Sequence, residues 1–335
     1  MLVNDAPGTV GQPRSTAIEP LLSIRNLAVH IGQTAAVSEI SLDIFRGEFL
    51  GVVGESGSGK SVTARAVLGL LPAHARVTGS ITLDGEELLG ASDQRLRRVR
   101  GGKIGLVFQD ALAALDPVYT VGDQLVEALL AHHELPKKEA RARAADLLAE
   151  VRIPQPVQHL SRYPHELSGG MRQRVVIASA LIADPALILA DEPTTALDVT
   201  VQRQVLDLIA EISASRGTAV MLITHDLSVV AETCDRVTVF YGGLLVEEAA
   251  AVTLFDSPRH PYTSALLRSL PRLGTQGPFE AIPGSPAQIR GELSSCPFAP
   301  RCSFVAEDCT THVPREHSDS HGRHRCLRPL QSGST

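Results

Sequence analysis

The segment from Gly54 to Ser61 restricts the fold of this chain more than any other. Its residues, G-E-S-G-S-G-K-S, follow an apolar run typical of a buried strand and precede a segment whose apolar spacing predicts a helix. A strand, a glycine-rich loop and a helix in this order form a P-loop, in which backbone N–H groups and the helix dipole face phosphate oxygens. The chain is therefore predicted to bind a nucleoside triphosphate.

Two side chains at the end of this loop have defined chemical tasks. Lys60 can neutralise the β- and γ-phosphates, and the Ser61 hydroxyl can bind Mg²⁺. The glycines leave room for the backbone to approach the phosphates. The expected nucleotide contacts are Gly54, Glu55, Ser56, Gly57, Ser58, Gly59, Lys60, Ser61 and Val62.

Length and composition indicate a globular protein with a full core and room for a second, smaller unit. The chain has 335 residues, of which 44% are hydrophobic and 20% charged. A net charge of −6 argues against a nucleic-acid-binding surface. No apolar run approaches the ~20 residues of a spanning helix. Residues 1–20 lack a signal-peptide pattern and are expected to be a disordered lead-in, which favours a cytosolic protein.

Apolar strands alternate with helical segments along the chain, which indicates a mostly parallel sheet covered on both faces. One such strand, Leu187–Ala190, leads to Asp191 and Glu192. Asp191 would reach the phosphates and hold Mg²⁺, and Glu192 could take a proton from the attacking water. The alternative is that two carboxylates at a strand end mark the start of a helix.

Leu167–Arg174 reads L-S-G-G-M-R-Q-R, and with it the chain resembles the nucleotide-binding subunit of an ABC transporter. Met171 stands where the family usually has glutamine. The resemblance implies an α/β fold: a P-loop NTPase with a RecA-like parallel core, an antiparallel β subdomain and an α-helical signature subdomain. In the family, Ser168, Gly169 and Gly170 contact the ATP bound by the opposite subunit, which implies a dimer.

The resemblance also implies roles for residues outside these motifs. Gln109 corresponds to the Q-loop and would join Ser61 and Asp191 at Mg²⁺. Asp198 corresponds to the D-loop, and His225 to the switch histidine that would act with Glu192 and Lys60 in hydrolysis. The family stacks adenine on an aromatic residue near the first strand. Here Ile31 holds that position with His30 beside it, so either aliphatic packing or His30 would contact the base.

Three further segments resemble the oligopeptide/dipeptide importer branch: Leu115–Gly122, Tyr163–Arg174 and Pro258–Thr263. The expected domains are an ABC ATPase at 21–255, with a helical subdomain at about 110–180, and a small irregular C-terminal extension at 256–330. His260 and Tyr262 within this extension are interpreted as packing and turn residues.

The branch implies specific partners and a place in the cell. These are a second ATPase subunit (a paralogue favoured over an identical copy), two transmembrane permease subunits and an extracytoplasmic peptide-binding protein, with the ATPase peripheral on the cytoplasmic face of the inner membrane. An importer of nickel or another small solute is an alternative. A soluble ABC ATPase of DNA repair or translation is a rival from another class, but such proteins usually carry two cassettes or long coiled-coil insertions.

The C-terminal extension concentrates four of the five cysteines, Cys296, Cys302, Cys309 and Cys326. Crowded thiols in a reducing compartment indicate a metal site. Zinc is an alternative supported by nearby histidines, although paired C-x₂-C knuckles are missing, and the absence of any metal is another. Extensions of this kind in some peptide-importer ATPases carry a 4Fe–4S cluster, and the resemblance implies one at these four cysteines.

Four residues near the cysteines are expected to support such a cluster. We expect apolar cover from Phe298 and Phe304, and compensation of thiolate charge by Arg301 and Arg325.

Overall fold

Two β-sheets organise the fold in a computed structural model that describes residues 19–108, 110–194, 198–269, 281–291 and 293–331. The predicted lead-in falls outside these ranges except for its last two residues. The strands are β1 (Leu22–Ile31), β2 (Thr34–Ile44), β3 (Phe49–Val53), β4 (Ala75–Leu83), β5 (Glu86–Glu87), β6 (Ile104–Val107), β7 (Leu187–Asp191), β8 (Ala219–Ile223), β9 (Arg236–Tyr241), β10 (Leu244–Ala250), β11 (His317–Asp319) and β12 (Gly322–His324).

Helices cover the sheets. They are α1 (Lys60–Val67), α2 (Asp93–Val99), α3 (Ala111–Ala114), α4 (Val121–Leu130), α5 (Lys137–Glu150), α6 (Pro156–His159), α7 (Gly169–Leu181), α8 (Val199–Arg216), α9 (Leu227–Thr233), α10 (Ala251–Asp256), α11 (Pro261–Arg268) and α12 (Glu307–Thr311). Two 3₁₀ turns lie at Pro164–Glu166 and Ala299–Arg301. In the part of the chain that the structure describes, no helix is both long enough and apolar enough to cross a membrane.

The larger sheet has the order β11-β12-β10-β9-β3-β8-β7-β6. Its centre, from β9 to β6, is parallel. All five residues of β3 and all five of β8 are buried, as expected for parallel strands covered by helices on both faces. The smaller sheet, β2-β1-β4-β5, is antiparallel. The predicted α/β class, with a parallel core and an antiparallel subdomain, is confirmed.

Two apolar cores hold these layers together. One joins the larger sheet to α4, α5, α7 and α8, and includes Leu125, Leu148 and Ile177. The other joins the smaller sheet to α1 and the opposite face of the larger sheet, and includes Ile24 and Val67. The P-loop, between β3 and α1, starts where these two cores meet.

The C-terminal extension packs directly on the ATPase core. Beyond the irregular turns expected there, it contributes the hairpin β11–β12, whose second strand pairs antiparallel with β10. Arg323 on β12 donates from Nε and Nη2 to the two carboxylate oxygens of Glu248 on β10, at 2.9 and 2.8 Å. The extension therefore completes the larger sheet.

Candidate nucleotide site

The P-loop adopts a conformation that requires glycine. Gly57 and Gly59 have φ values of +79° and +104°, in the left-handed region that other residues rarely adopt. A Cβ atom on Gly59 would lie 2.7 Å from the carbonyl oxygen of Ala36, whereas one on Gly57 would meet nothing within 4 Å. Gly59 thus allows close packing against β2, and Gly57 leaves the surface of the loop open for a ligand.

Lys60 fixes the loop from inside. Its Nζ donates to the carbonyl oxygens of Gly54 at 2.7 Å and Glu55 at 2.9 Å. Burial lowers the pKa of Lys60 from its usual value, and the nearby carboxylates of Glu192, Asp191 and Glu55 oppose that shift. The ammonium group lies at the base of the loop, where phosphate charge would be bound.

Ser61 and Asp191 meet at the carboxyl end of β7. The Ser61 hydroxyl donates to Oδ1 of Asp191 at 2.7 Å. A hydroxyl and a carboxylate oxygen at this separation are hard ligands of the kind that Mg²⁺ prefers. The third ligand predicted for this ion, Gln109, lies outside the described residues.

Glu192 and His225 come together next to this pair. Nδ1 of His225 lies 3.7 Å from Oε2 of Glu192, and their side chains are 66% and 23% exposed. Glu192 has a φ of +48°, which is uncommon for a residue with a side chain. Its backbone N–H donates to the carbonyl oxygen of Ile223 at 2.9 Å and so ties this turn to β8. Backbone strain of this kind is concentrated at functional sites.

The signature residues lie at the start of α7. Ser168 is the N-cap residue, and its Oγ accepts from the backbone N–H of Met171 at 3.3 Å. Ser168 and Gly169 are both exposed, while Gly170 is half-buried. The replacement of glutamine by methionine leaves this cap intact, because the contact at position 171 comes from the backbone.

Asp198 caps the next helix along the chain. Its side chain accepts from the backbone N–H of Val201 at 3.0 Å at the start of α8. The residues just before it, 195–197, lie outside the described part of the chain. The D-loop role of Asp198 stays a prediction.

The two candidates for adenine contact face different surroundings. Ile31 packs against the core of the smaller sheet. His30 lines a cavity together with Arg76 and with Arg290 of the C-terminal extension. Adjacent residues of a strand point to opposite faces, so these two side chains cannot both face one ligand without a change in the strand.

Two contacts to the P-loop were not anticipated from the sequence. The backbone N–H of Glu55 donates to the Tyr262 hydroxyl at 2.9 Å. Its carboxylate accepts from both terminal nitrogens of Arg301, at 2.7 and 3.0 Å. Tyr262 and Arg301 belong to the C-terminal extension, 207 and 246 residues away along the chain. No local pattern marks either residue as part of a nucleotide site.

The four cysteines of the extension line one cavity of about 10 Å³, together with Phe298 and Phe304. Phe298 is buried and Phe304 is 45% exposed. Within the described ranges, no group of three or more His, Cys, Asp or Glu residues is arranged to hold a metal ion.

Arg301 does not have the role expected of it. The sequence predicts that Arg301 offsets thiolate charge, whereas its guanidinium pairs with Glu55. Arg325 contacts the carboxylate of Glu316 at 3.9 Å. The prediction for Arg301 is therefore wrong, because both terminal nitrogens of its guanidinium donate to the Glu55 carboxylate.

The structure combines three features: a P-loop between β3 and α1, a nearby strand β7 that ends in the carboxylate of Asp191, and the helix α7 capped by Ser168. Together they define the class of ABC ATPases. ATP and Mg²⁺ are the ligands generic to this class. The chain is similar to a solved dimeric post-hydrolysis state of the ATP-binding cassette MJ0796 bound to ADP and Pi, with a TM-score of 0.61 and 29% identity over 69% of this chain and 98% of that one. It is also similar to CbiO1 from Clostridium perfringens, part of the ABC transporter complex CbiONQ, with a TM-score of 0.62 and 28% identity over 70% and 90%.

Family models narrow this class further. Residues 37–195 match the ABC transporter model, and residues 246–309 match the model for the oligopeptide/dipeptide transporter, C-terminal region. The second match falls in the C-terminal extension, apart from the residues of β10 and α10 that lead into it.

Curated relatives agree with both matches. The dipeptide transport ATP-binding protein DppD of Bacillus subtilis is 46% identical over 91% of this chain and 93% of its own length. The oligopeptide transport ATP-binding protein OppD of Escherichia coli is 42% identical over 93% and 94%. OppD of Mycobacterium tuberculosis is 51% identical over 89% of this chain, which spans 50% of that relative's length. The chain belongs to the family of oligopeptide/dipeptide ABC transporter ATP-binding proteins, and the predicted resemblance is confirmed.

Proposed function

We propose that this chain is the ATP-binding and ATP-hydrolysing subunit of a bacterial ABC importer for di- and oligopeptides. The observation that carries the proposal is the convergence of Ser61 with Asp191 and of Glu192 with His225 beside one P-loop. Residues 21–255 form the ATPase, with its helical subdomain at about 110–180, and residues 256–330 form the extension. Peptide cargo is supported by the names of the relatives and by the match at 246–309.

ATP binds with its phosphates in the loop from Gly54 to Val62 and its base near Ile31. Lys60 neutralises phosphate charge, since its ammonium already lies against the carbonyl groups of the loop. Ser61, Asp191 and Gln109 hold Mg²⁺ between the protein and the phosphates.

Hydrolysis uses Glu192 as the base that takes a proton from the attacking water. His225 orients this water and the γ-phosphate, and its 3.7 Å separation from Glu192 allows the two side chains to act on one group. The strained backbone at Glu192 holds the carboxylate at the end of β7, beside the metal ligand Asp191.

The active form is a dimer of ATPase subunits with ATP at the interface. Ser168, Gly169 and Gly170 complete the site of the opposite subunit, and Ser168 and Gly169 are exposed at the start of α7. Asp198 contributes from the start of α8. The second subunit is a paralogue rather than an identical copy.

The dimer drives two transmembrane permease subunits from the cytoplasmic face of the inner membrane. ATP closes it, hydrolysis reopens it, and the region of Gln109 passes the movement to the permeases. An extracytoplasmic binding protein delivers the peptide, and no nucleic acid takes part.

Co-purification from native membranes tests this function. Tagged protein is expected to bring down two membrane subunits, and a peptide-loaded binding protein should stimulate ATP hydrolysis by the complex. Stimulation by a nickel-loaded binding protein instead would assign the cargo to the small-solute alternative. Recovery of ribosomes or DNA without membrane subunits would overturn the transporter assignment.

We also propose that Cys296, Cys302, Cys309 and Cys326 hold a 4Fe–4S cluster. The proposal is supported by the four thiols, which line one small cavity together with Phe298 and Phe304. It is also supported by the backbone N–H groups of Phe304 and Arg328, which donate to the sulfurs of Cys302 and Cys326 at 3.4 and 3.3 Å. When bound, the cluster supplies four metal–thiolate links that tie down a polar segment with little core of its own.

Anaerobic purification tests the cluster. The protein should absorb broadly near 400 nm and contain about four irons per chain. Cys302→Ser should bleach this absorbance, and Cys234→Ser, outside the cavity, should not. Colourless protein with one tightly held zinc would favour zinc, and protein without either metal would make the cysteines ordinary packing residues.

A further inference from the structure

The residue that links the C-terminal extension to the nucleotide site is Glu55, the second residue of the P-loop motif. Each of its polar groups has a partner. Its carbonyl oxygen accepts from Lys60 at 2.9 Å, its backbone N–H donates to Tyr262 at 2.9 Å, and its carboxylate is paired with Arg301. Two of these three partners come from the extension, so the extension determines where this part of the loop lies.

Arg301 is built into the protein as a fixed group. Its side chain is only 5% exposed. Besides the two bonds to Glu55, it donates from Nε to the carbonyl oxygen of Pro283 at 2.7 Å and from Nη2 to that of Ile282 at 3.3 Å. Its guanidinium also lies 5.8 Å from the centroid of the Tyr241 ring. Because these contacts fix the guanidinium, its two terminal nitrogens face the Glu55 carboxylate in one orientation. A flexible surface arginine would not be fixed in this way.

The backbone around Arg301 is anchored as well. Arg301 ends the 3₁₀ turn Ala299–Arg301, which follows Phe298. The Phe298 ring is 2% exposed and meets the rings of Tyr241 and Tyr262 edge to face, at 5.2 and 5.3 Å. The same aromatic cluster therefore supports both groups that hold Glu55.

An anionic side chain in a phosphate-binding loop opposes the binding of phosphate. An unpaired Glu55 carboxylate would repel a triphosphate bound to the same loop, and it would be free to bend back onto the N–H groups that bind phosphate. A bidentate pair with an always-charged guanidinium cancels this charge and fixes the direction of the side chain.

We propose that Arg301 is a positioning residue for the ATP site, which acts through its bidentate pair with Glu55 to hold the P-loop in its phosphate-binding conformation. The inference rests on the proposed binding of ATP at this loop. It makes Tyr262 and Arg301 of the C-terminal extension part of the nucleotide site.

The test is a double-mutant cycle on ATP affinity in the full chain, measured by equilibrium titration with the thermal midpoint recorded for every variant. Arg301→Gln should raise the Kd for ATP roughly 10- to 100-fold, the range expected for losing a charged hydrogen-bonded pair. Arg301→Lys should restore only part of the affinity, because one ammonium cannot bond both carboxylate oxygens. In a protein that already carries Glu55→Gln, adding Arg301→Gln should change the Kd for ATP little, because the carboxylate that Arg301 pairs with is already absent.

Arg323→Gln is the matched control. Arg323 forms the other bidentate pair between the extension and the ATPase, with Glu248 on β10. It should lower the thermal midpoint and leave the Kd for ATP within twofold of wild type. A loss of affinity in this variant equal to that of Arg301→Gln would mean that any loosening of the extension weakens binding, and the inference would fail.

Other outcomes also decide the question. Additive effects of Arg301→Gln and Glu55→Gln, or a Kd within twofold of wild type for both, would overturn the positioning role. If Arg301→Gln does not fold, Arg301→Lys carries the test, because it keeps the positive charge and loses the bidentate pair, and an unchanged Kd in this variant would again refute the role. Wild-type protein that binds no ATP would instead overturn the proposed function.

Discussion

Replacing Glu192 with glutamine removes the carboxylate proposed to accept the proton and keeps the shape of the side chain. The groups proposed to bind the nucleotide and Mg²⁺ are unchanged, since Lys60 still donates to the loop and Ser61 still contacts Asp191. The variant should therefore bind ATP and fail to hydrolyse it. With hydrolysis blocked, the closed dimer should accumulate when ATP is added.

The size of the effect follows from the position of this carboxylate. A general base contributes about 10²- to 10⁴-fold to a rate, which corresponds to roughly 3–5 kcal/mol at 1.36 kcal/mol for each factor of ten. Residue 192 has a left-handed φ of +48°, and this conformation is equally unfavourable for glutamate and for glutamine. The thermal midpoint should accordingly change little, so that the loss of turnover cannot be attributed to unfolding.

Phosphate release and ATP titration measure the two halves of this prediction separately. Lys60→Ala is the contrasting variant, because it removes the ammonium group and should weaken ATP binding itself. His225→Ala should bind ATP normally and hydrolyse it slowly. Glu192 and His225 lie 3.7 Å apart and are proposed to act on one water, so the double variant should be little slower than Glu192→Gln alone.

Turnover by Glu192→Gln within a few-fold of wild type would refute the reasoning and place the base elsewhere. Loss of ATP binding in this variant would refute it differently, since the carboxylate would then belong to the binding step. A monomeric variant in ATP, measured by light scattering, would contradict the expected closed dimer.

Two further predictions concern packing and thiol chemistry. Phe298→Ala should lower the free energy of unfolding by about 3–5 kcal/mol in chemical denaturation, because Phe298 is 2% exposed. Phe304 is 45% exposed, so Phe304→Ala should lower the free energy of unfolding far less. Equal losses in the two variants would contradict the argument from burial. Burial raises the pKa of Cys234 to about 12, so its thiol stays protonated at pH 8, and alkylation by iodoacetamide followed by mass spectrometry should be ~10³-fold slower in the native protein than in the unfolded chain. Rapid labelling of native Cys234 would show that this segment opens easily.

The parts of the molecule that could be predicted from sequence are those encoded by contiguous residues. The P-loop and the two carboxylates at the end of β7 each need a strand and a few residues beside it, and the structure has both. Pro136 likewise lies between α4 and α5, where a sequence pattern alone marks a helix boundary, because proline cannot continue a helix interior.

Contacts between distant segments could not be predicted in this way. The pair of Glu55 with Arg301 joins residues 246 positions apart, and neither residue carries a local pattern that identifies the other. Strands β11 and β12 have three residues each, mostly polar, so they lack the alternation by which strands are recognised. The left-handed backbone of Glu192 depends on its tie to Ile223 on a separate strand. Each of these features is determined by tertiary packing.

The pairing of β10 with β12 has a consequence for how the protein is made. Glu248 on β10 and its partner Arg323 on β12 are 75 residues apart. At translation rates of about 5–20 residues per second, the edge of β10 stays unpaired for roughly 4–15 seconds after it leaves the ribosome. Such an edge is a template for strands of other chains. A nascent chain stalled before residue 322 would therefore present an ATPase core with an open sheet edge, and polysomes carrying many copies of it would bring those edges close together.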